Sequence, residues 1–136
     1  MKTQRKGERG EDQAVAHLEE RGLVVVERNW RAGNAQRGEL DIIARDGKTL
    51  CFIEVKARTS TLLGQPQEAV TPAKQRQISR LANAYVSNHN LDDVPCRFDV
   101  IEVWLSPHEA TPGRIQWHKG AFDYCAAVAP RGARIF

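Results

Sequence analysis

GELDIIARDGKTLCFIEVKAR, residues 38–58, reads as a β-hairpin. Asp46-Gly47 is a two-residue turn signal, because Gly accepts a positive φ and Asp tolerates one. The flanks, Glu39–Arg45 and Thr49–Ala57, are rich in the Ile, Leu, Phe and Val that favour strands. With Arg45 paired to Lys48, Asp41 is expected opposite Phe52 and Glu39 opposite Glu54. Side chains alternate across a strand, so residues two apart share a face. One face then carries Glu39, Asp41, Ile43, Leu50, Phe52, Glu54 and Lys56. The other carries Leu40, Ile42, Ala44, Cys51, Ile53 and Val55. Both faces are expected to be buried near the turn, with three carboxylates and one ammonium gathered at the open end.

That gathering is costly if it serves stability alone. Two like charges ~4 Å apart repel by roughly 4 kcal/mol at an effective dielectric of 20, and like charges directly opposite on a sheet destabilise it. A single Lys cannot neutralise three carboxylates. A divalent cation can, and Mg²⁺ or Mn²⁺ prefers hard carboxylate oxygens. The competing reading is a solvated strand end with a surface ion pair. It sits poorly with charges that share a face with Phe52 and Ile43.

Asp41 followed by Glu54-x-Lys56 on the next strand resembles the PD-(D/E)xK nuclease signature. A wider set of residues carries the resemblance along the chain: Gly10-Glu11 early, Arg28-Asn29-Trp30-Arg31, the hairpin, and Arg97-Phe98-Asp99-Val100. In this order the sequence is similar to the bacterial YraN-like family, related to archaeal Holliday-junction resolvases, over roughly residues 6–123. Leu40 stands where the superfamily's name-giving Pro would be; that Pro is structural, not chemical. The resemblance implies a restriction-endonuclease-like αβββαβ core, a mixed α/β sheet with helices on both faces. It also implies metal-dependent hydrolysis of DNA phosphodiesters, on branched or junction-like DNA. Asp41 and Glu54 would hold Mg²⁺ or Mn²⁺, helped by the Val55 carbonyl and by Glu39 or Glu11, with Lys56 orienting water or stabilising phosphoryl charge. Residue chemistry alone says only metal-assisted phosphodiester cleavage. Two rivals come from other classes: a nucleic-acid-binding module with this fold and little turnover, and a protein-interaction adaptor.

Upstream of the hairpin, Glu11–Arg21 reads as a helix. Ala14, Val15 and Leu18 form its apolar stripe, and Gly22 suits the position after its end. Glu11 lies on that stripe at the i, i+3, i+4, i+7 spacing. It is either a first-turn acid favoured by the helix dipole or a further ligand to metal or water. Leu23–Arg31 reads as a strand whose Leu-Val-Val-Val opening suggests burial on both faces. Trp30, between Arg28 and Arg31, is a packing residue or a stacking platform for nucleic acid. The residues before this helix include Lys2, Arg5, Lys6 and Arg9, a frayed terminus or a basic arm for phosphate. Residues 32–38 form a Gly/Asn loop expected to carry Arg37 toward the carboxylates.

Downstream, Thr59–Thr71 has no periodicity and reads as a loop that borders the site together with Arg58. Pro72–Asn88 is a helix, with Thr71 as cap and Pro72 at its first position. Ile78, Leu81, Ala82, Tyr85 and Val86 make its buried stripe. Lys74 and Gln75 lie at its N-terminal end, where phosphate binding is favoured; the alternative for them is a solvated helix face. Arg97–Leu105 is a strand with an unusual mid-strand acid, Asp99, which is either the partner of a buried Arg or a group supporting the site. A turn-rich loop spans 106–113, a short strand Ile115–Lys119 follows, and 121–128 forms one helical turn before a loose tail at 130–136. The four histidines show no metal-ligand spacing and read as incidental.

Composition sets the outer limits. The chain has 136 residues, 41% hydrophobic and 27% charged, which suits one globular domain. A net charge of +3 is compatible with nucleic acid without requiring it. No apolar run approaches a membrane span and no signal-peptide core opens the chain, so no membrane partner is expected. Cys51, Cys96 and Cys125 form no Cys-x-x-Cys pair and read as reduced thiols of a cytoplasmic protein. A homodimer is compatible with the sequence, which does not fix the oligomeric state.

Overall fold

The computed structural model describes residues 6–33, 36–58, 70–105 and 113–124. The expected basic arm up to residue 5, the loop at 59–69, the turns at 106–112, residues 125–128 and the tail at 130–136 lie outside the described residues. In order come α1 (Lys6–Glu20), β1 (Val24–Trp30), β2 (Leu40–Asp46), β3 (Thr49–Arg58), α2 (Pro72–Asn88), β4 (Cys96–Trp104) and β5 (Ile115–Phe122). The five strands lie side by side in chain order. Only β3 and β4 pair in parallel, joined through α2; the other pairs are antiparallel, so the sheet is mixed. No helix among the described residues is long and apolar enough to cross a membrane.

The alternation expected of the hairpin divides the core in two. Ile43, Leu50 and Phe52 join Phe98 and Val100 against Ile78, Leu81 and Tyr85 of α2. Ile42, Ala44, Cys51 and Ile53 join Ile101 and Val103 against Ala14 and Leu18 of α1. The helices therefore cover opposite faces. All five stripe residues expected of α2 are buried, and Thr71 caps the helix by accepting a hydrogen bond from the Lys74 N–H at 3.2 Å. Trp30 resolves as packing, edge-on to the Tyr85 ring at 5.2 Å.

The register of the hairpin corrects the expected one. Asp46 pairs with Thr49 and Ile42 with Ile53. Gly47, at φ +61, is the first central residue of the turn, and Asp46 stays in the strand. A two-residue hairpin loop needs Gly at that first position when the second keeps an ordinary φ. The pairing is shifted by two residues, so every side chain keeps its face. The partners change: continued past Ile42, the same alignment sets Asp41 against Glu54 rather than Phe52.

β1 also departs from expectation. It is an edge strand, with a bulge between Val25 and Glu27 and with Val24 and Val26 exposed. An apolar run alone cannot distinguish an edge strand from a central one. α1 begins five residues before the expected start. β5 runs on to Phe122, so Ala121 and Phe122 are strand residues, not the start of a helical turn.

Asp99 resolves as the partner of an arginine. It is fully buried on β4 and accepts from Arg97 Nε at 2.9 Å, Arg97 Nη2 at 3.0 Å, Trp117 Nε1 at 3.0 Å and the Gly120 N–H at 2.9 Å. Gly120, at φ +62, lies in the β5 segment where the β4–β5 register slips. A buried carboxylate with its partners supplied pins that irregularity between β4 and β5.

Candidate metal and phosphodiester site

The site forms where β2 and β3 part. Their ladder ends at Ile42 and Ile53. Beyond it, the Val55 N–H donates to Asp41 Oδ2 at 2.9 Å. Asp41 thus closes the end of the ladder with its side chain, and Glu54 lies next to it, buried on the α2 face. Glu11, from α1, and Glu39, just before β2, approach Asp41. One carboxylate oxygen from each of the three lies within 4.8 Å of the others. The expected set of Asp41, Glu54, Glu39 and Glu11 is brought together.

Gly10 explains how a helix residue reaches the sheet edge. A Cβ at Gly10 would stand 2.8 Å from Ala57 Cβ, so α1 lies directly on β3 there and carries Glu11 in with it. Gly10→Ala should push α1 outward. Metal affinity is expected to fall several-fold, and Ala57→Gly in the same protein should restore it, because that change removes the clashing methyl. Titration calorimetry on the single and double variants checks this.

Asn29 is a residue that the sequence reading passed over. Its φ of +51 is left-handed, a conformation Asn adopts more readily than most residues. Its Nδ2 donates to Glu11 Oε2 at 2.8 Å and to Glu39 Oε1 at 3.1 Å, spanning two of the acids. Arg28 holds Glu11 from outside at 3.4 Å and Asp12 at 2.7 Å. Only the quoted Arg28-Asn29-Trp30-Arg31 run hinted at this support; nothing in its spacing assigns it.

The cations are more numerous than the hairpin alone suggests. Lys56 Nζ lies 3.8 Å from Glu54 Oε1, and Lys74 Nζ, from the start of α2, lies 3.9 Å from the same oxygen. Arg31 pairs with Glu39 at 3.1 Å. The argument from an uncompensated excess of acid therefore narrows to Asp41. Burial pushes its carboxyl up to about 7, and the Glu54 charge adds to the rise. Glu54 is raised as well, chiefly by burial, with Lys74 and Lys56 pulling it back. The two titrate as a coupled pair.

This has a measurable consequence for the metal-free protein. A carboxyl whose pKa is higher folded than unfolded binds an extra proton in the fold. Stability is then full at low pH and declines as pH rises from about 4 to about 7. Asp41→Asn should flatten that slope and leave the metal-free protein more stable than wild type at neutral pH. Denaturant unfolding of both proteins across this interval is the check; parallel pH profiles would count against it.

The other expected nucleic-acid contacts are distributed more widely. Lys74 reaches the site itself, and Gln75 lies beside it, its Nε2 donating to the Val70 carbonyl at 3.0 Å. Arg31 is on the rim with Glu39. Arg9 is on α1, one turn before Gln13. Arg37 is not carried to the acids; its carbonyl accepts from Gln77 Nε2 at 3.2 Å, and it lines a cleft with Gln36, Gln77 and Arg80. Arg58 points along the α2 face of the sheet, its Nε donating to the buried Glu102 at 2.8 Å. His118, read as incidental, bonds the other oxygen of Glu102 through Nε2 at 3.1 Å. A pairing between β4 and β5 at this register is not legible from the sequence, which is why Glu102 and His118 escaped notice.

Comparison with known proteins gives a consistent grouping. Residues 10–103 match the profile of the family described as "Uncharacterised protein family UPF0102". A UPF0102 protein of Chlorobium phaeobacteroides is 49% identical over 113 residues, covering 83% of this chain and 86% of the relative. One of Geotalea uraniireducens is 48% identical over 117 residues, covering 86% and 88%. One of Moorella thermoacetica is 41% identical over 122 residues, covering 90% and 98%.

Proposed function

The chain belongs to the uncharacterised protein family UPF0102, and we propose that it is a metal-dependent endonuclease acting on DNA. The observation that carries this reading is the half-buried Asp41 beside the buried Glu54 at the parting of β2 and β3, with Glu11 and Glu39 converging on Asp41 and two lysines on Glu54. The mixed sheet with a helix on each face supports a restriction-endonuclease-like core.

The donors fit Mg²⁺ or Mn²⁺. They are hard carboxylate oxygens, they converge, and the Asp41 carboxyl, pushed up to about 7, favours a cation that balances its charge. Asp41 and Glu54 would hold the ion, with Glu39, Glu11 and the Val55 carbonyl completing its surroundings. A bound ion supplies positive charge that stabilises the phosphoryl oxygens. The chain's own groups do the remainder. Asp41 gives up its proton on binding. Lys56, held to Glu54, presents an ammonium to a phosphoryl oxygen or to the attacking water. Lys74 lies on the far side of Glu54, at the start of α2, where backbone N–H groups also favour phosphate. Branched or junction-like DNA is the substrate class this reading favours.

DNA affinity should fall steeply with salt and show little preference for base identity, because the cations near the site address phosphate. Titration of one duplex in several sequences at two salt concentrations tests this; a salt-independent affinity, or strong sequence selectivity, contradicts it. A binding module with little turnover is the second reading. It is favoured by the ion pairs that already occupy Glu39 and Glu54. A nicking assay on linear, flap and four-way DNA with Mg²⁺ separates the two.

A further inference from the structure

Glu54, Val100 and His118 stand in one row across the sheet. Glu54 pairs with Val100 on β4, and Val100 pairs with His118 on β5. Directly paired residues share a face, so His118 lies on the α2 side, two strand spacings from Glu54, or about 10 Å. Over that end of the row is a cavity of about 290 Å³ between the start of α2 and β5. Val70, Val100 and Phe122 give it apolar walls, and Gln75 and His118 give it polar ones.

The polar atoms of this cavity have defined roles. Glu102 is 1% exposed beneath His118 and accepts from Arg58 Nε at 2.8 Å. His118 turns Nε2 toward Glu102 Oε1 at 3.1 Å, so its Nδ1 edge is not used in that contact. Gln75 spends its Nε2 on the Val70 carbonyl, which leaves Oε1 as an acceptor. Lys119 also borders the cavity, but its ammonium is engaged elsewhere, over the Trp117 ring at 4.4 Å and 3.9 Å from Asp46. Apolar walls with an amide oxygen and an imidazole edge, and with the Lys119 ammonium held elsewhere, are poorly suited to phosphate. They suit a flat apolar group with N–H donors on its edge.

The geometry points to a pocket for one unstacked nucleobase, belonging to the strand whose phosphate lies at the carboxylates. This rests on the phosphodiester reading above and narrows its substrate to DNA with an unpaired nucleotide beside the cleaved bond. Glu102 and Arg58 are then positioning residues, which hold the ring of His118 in place. A fully buried carboxylate held by an arginine beneath a pocket histidine is costly to build for packing alone. Selectivity among bases is weak, because every base offers a flat face and at least one donor in some form.

The test uses the full chain carrying Lys56→Ala, so that substrates survive, in Mg²⁺. It compares a short single-stranded oligonucleotide with an abasic backbone of the same length and charge. The base-bearing strand should bind on the order of 5- to 100-fold more tightly, the range for contact with one base. Adding His118→Ala should remove most of that ratio, and adding His118→Gln, which keeps a donor for Glu102, should retain part of it. Gln75→Ala, on a partly exposed helix position, should reduce the ratio without touching the core, and it decides the matter if His118→Ala does not fold. Equal affinity for both strands would overturn the pocket and leave the phosphodiester reading standing. An undiminished ratio in both His118→Ala and Gln75→Ala would also overturn it. Failure to bind either strand would overturn both readings.

Discussion

Asp41→Asn and Glu54→Gln should each abolish measurable Mg²⁺ or Mn²⁺ binding, and with it DNA cleavage, in proteins that remain folded. Asp41 lies nearest the centre of the cluster: it contacts the Val55 N–H, neighbours Glu54, and shares a 4.8 Å volume with Glu11 and Glu39. Replacing one anionic oxygen by an amide removes charge where a cation needs it most. Glu11 and Glu39 cannot compensate, because Arg28, Asn29 and Arg31 already hold them. The fold should tolerate both changes. The substituted amides keep the shape of the acids, and relief of repulsion between the neighbouring Asp41 and Glu54 carboxylates offsets lost hydrogen bonding. Thermal unfolding without metal should show wild-type or higher stability. Unchanged metal affinity in both variants would remove these residues from the site.

Lys56→Ala should separate binding from chemistry. Lys56 contacts Glu54 at 3.8 Å, but Lys74 contacts the same oxygen at 3.9 Å. Glu54 therefore keeps one ammonium when Lys56 is lost, and the carboxylates keep their places. Metal affinity is expected to be unchanged or slightly higher, since one positive charge beside the ion is gone. DNA affinity should weaken only modestly. Turnover should drop by about 10²-fold or more, the scale of losing one preorganised electrostatic stabiliser. A cleavage rate equal to wild type removes Lys56 from the mechanism. Metal affinity falling as it does for Asp41→Asn would mean that Lys56 only organises the acids. In that case a Lys56→Ala/Lys74→Ala protein should lose metal far more completely than either single variant.

The hairpin and its two faces could be read from the chain because a strand's side chains alternate with a fixed period. That rule survives a register error of two residues, which is why Asp41, Glu54 and Lys56 were placed together even with the wrong partners opposite them. α2 was legible for a similar reason: its cap, its proline and its stripe all agree. What stayed hidden depends on contacts between distant segments. The edge position of β1 could not be inferred from Leu-Val-Val-Val. The bridging of Glu11 and Glu39 by Asn29 requires a left-handed backbone that no local pattern announces. The place of Lys74 at a helix start reads equally as a phosphate site or a solvated face, and its approach to Glu54 follows from how α2 packs on the Glu54 face of the sheet. Glu102 looks like an ordinary strand residue until β5 sets His118 beside it and β3 sets Arg58 there.

The most direct test is calorimetric titration of Mg²⁺ and Mn²⁺ into wild-type and Asp41→Asn protein, with nicking of four-way and flap DNA followed on the same samples. Binding with proton release near neutral pH, and nicking that requires the metal, both lost in Asp41→Asn, is the result expected here. A wild-type protein that binds neither ion, or that nicks DNA equally well in chelator, would contradict it.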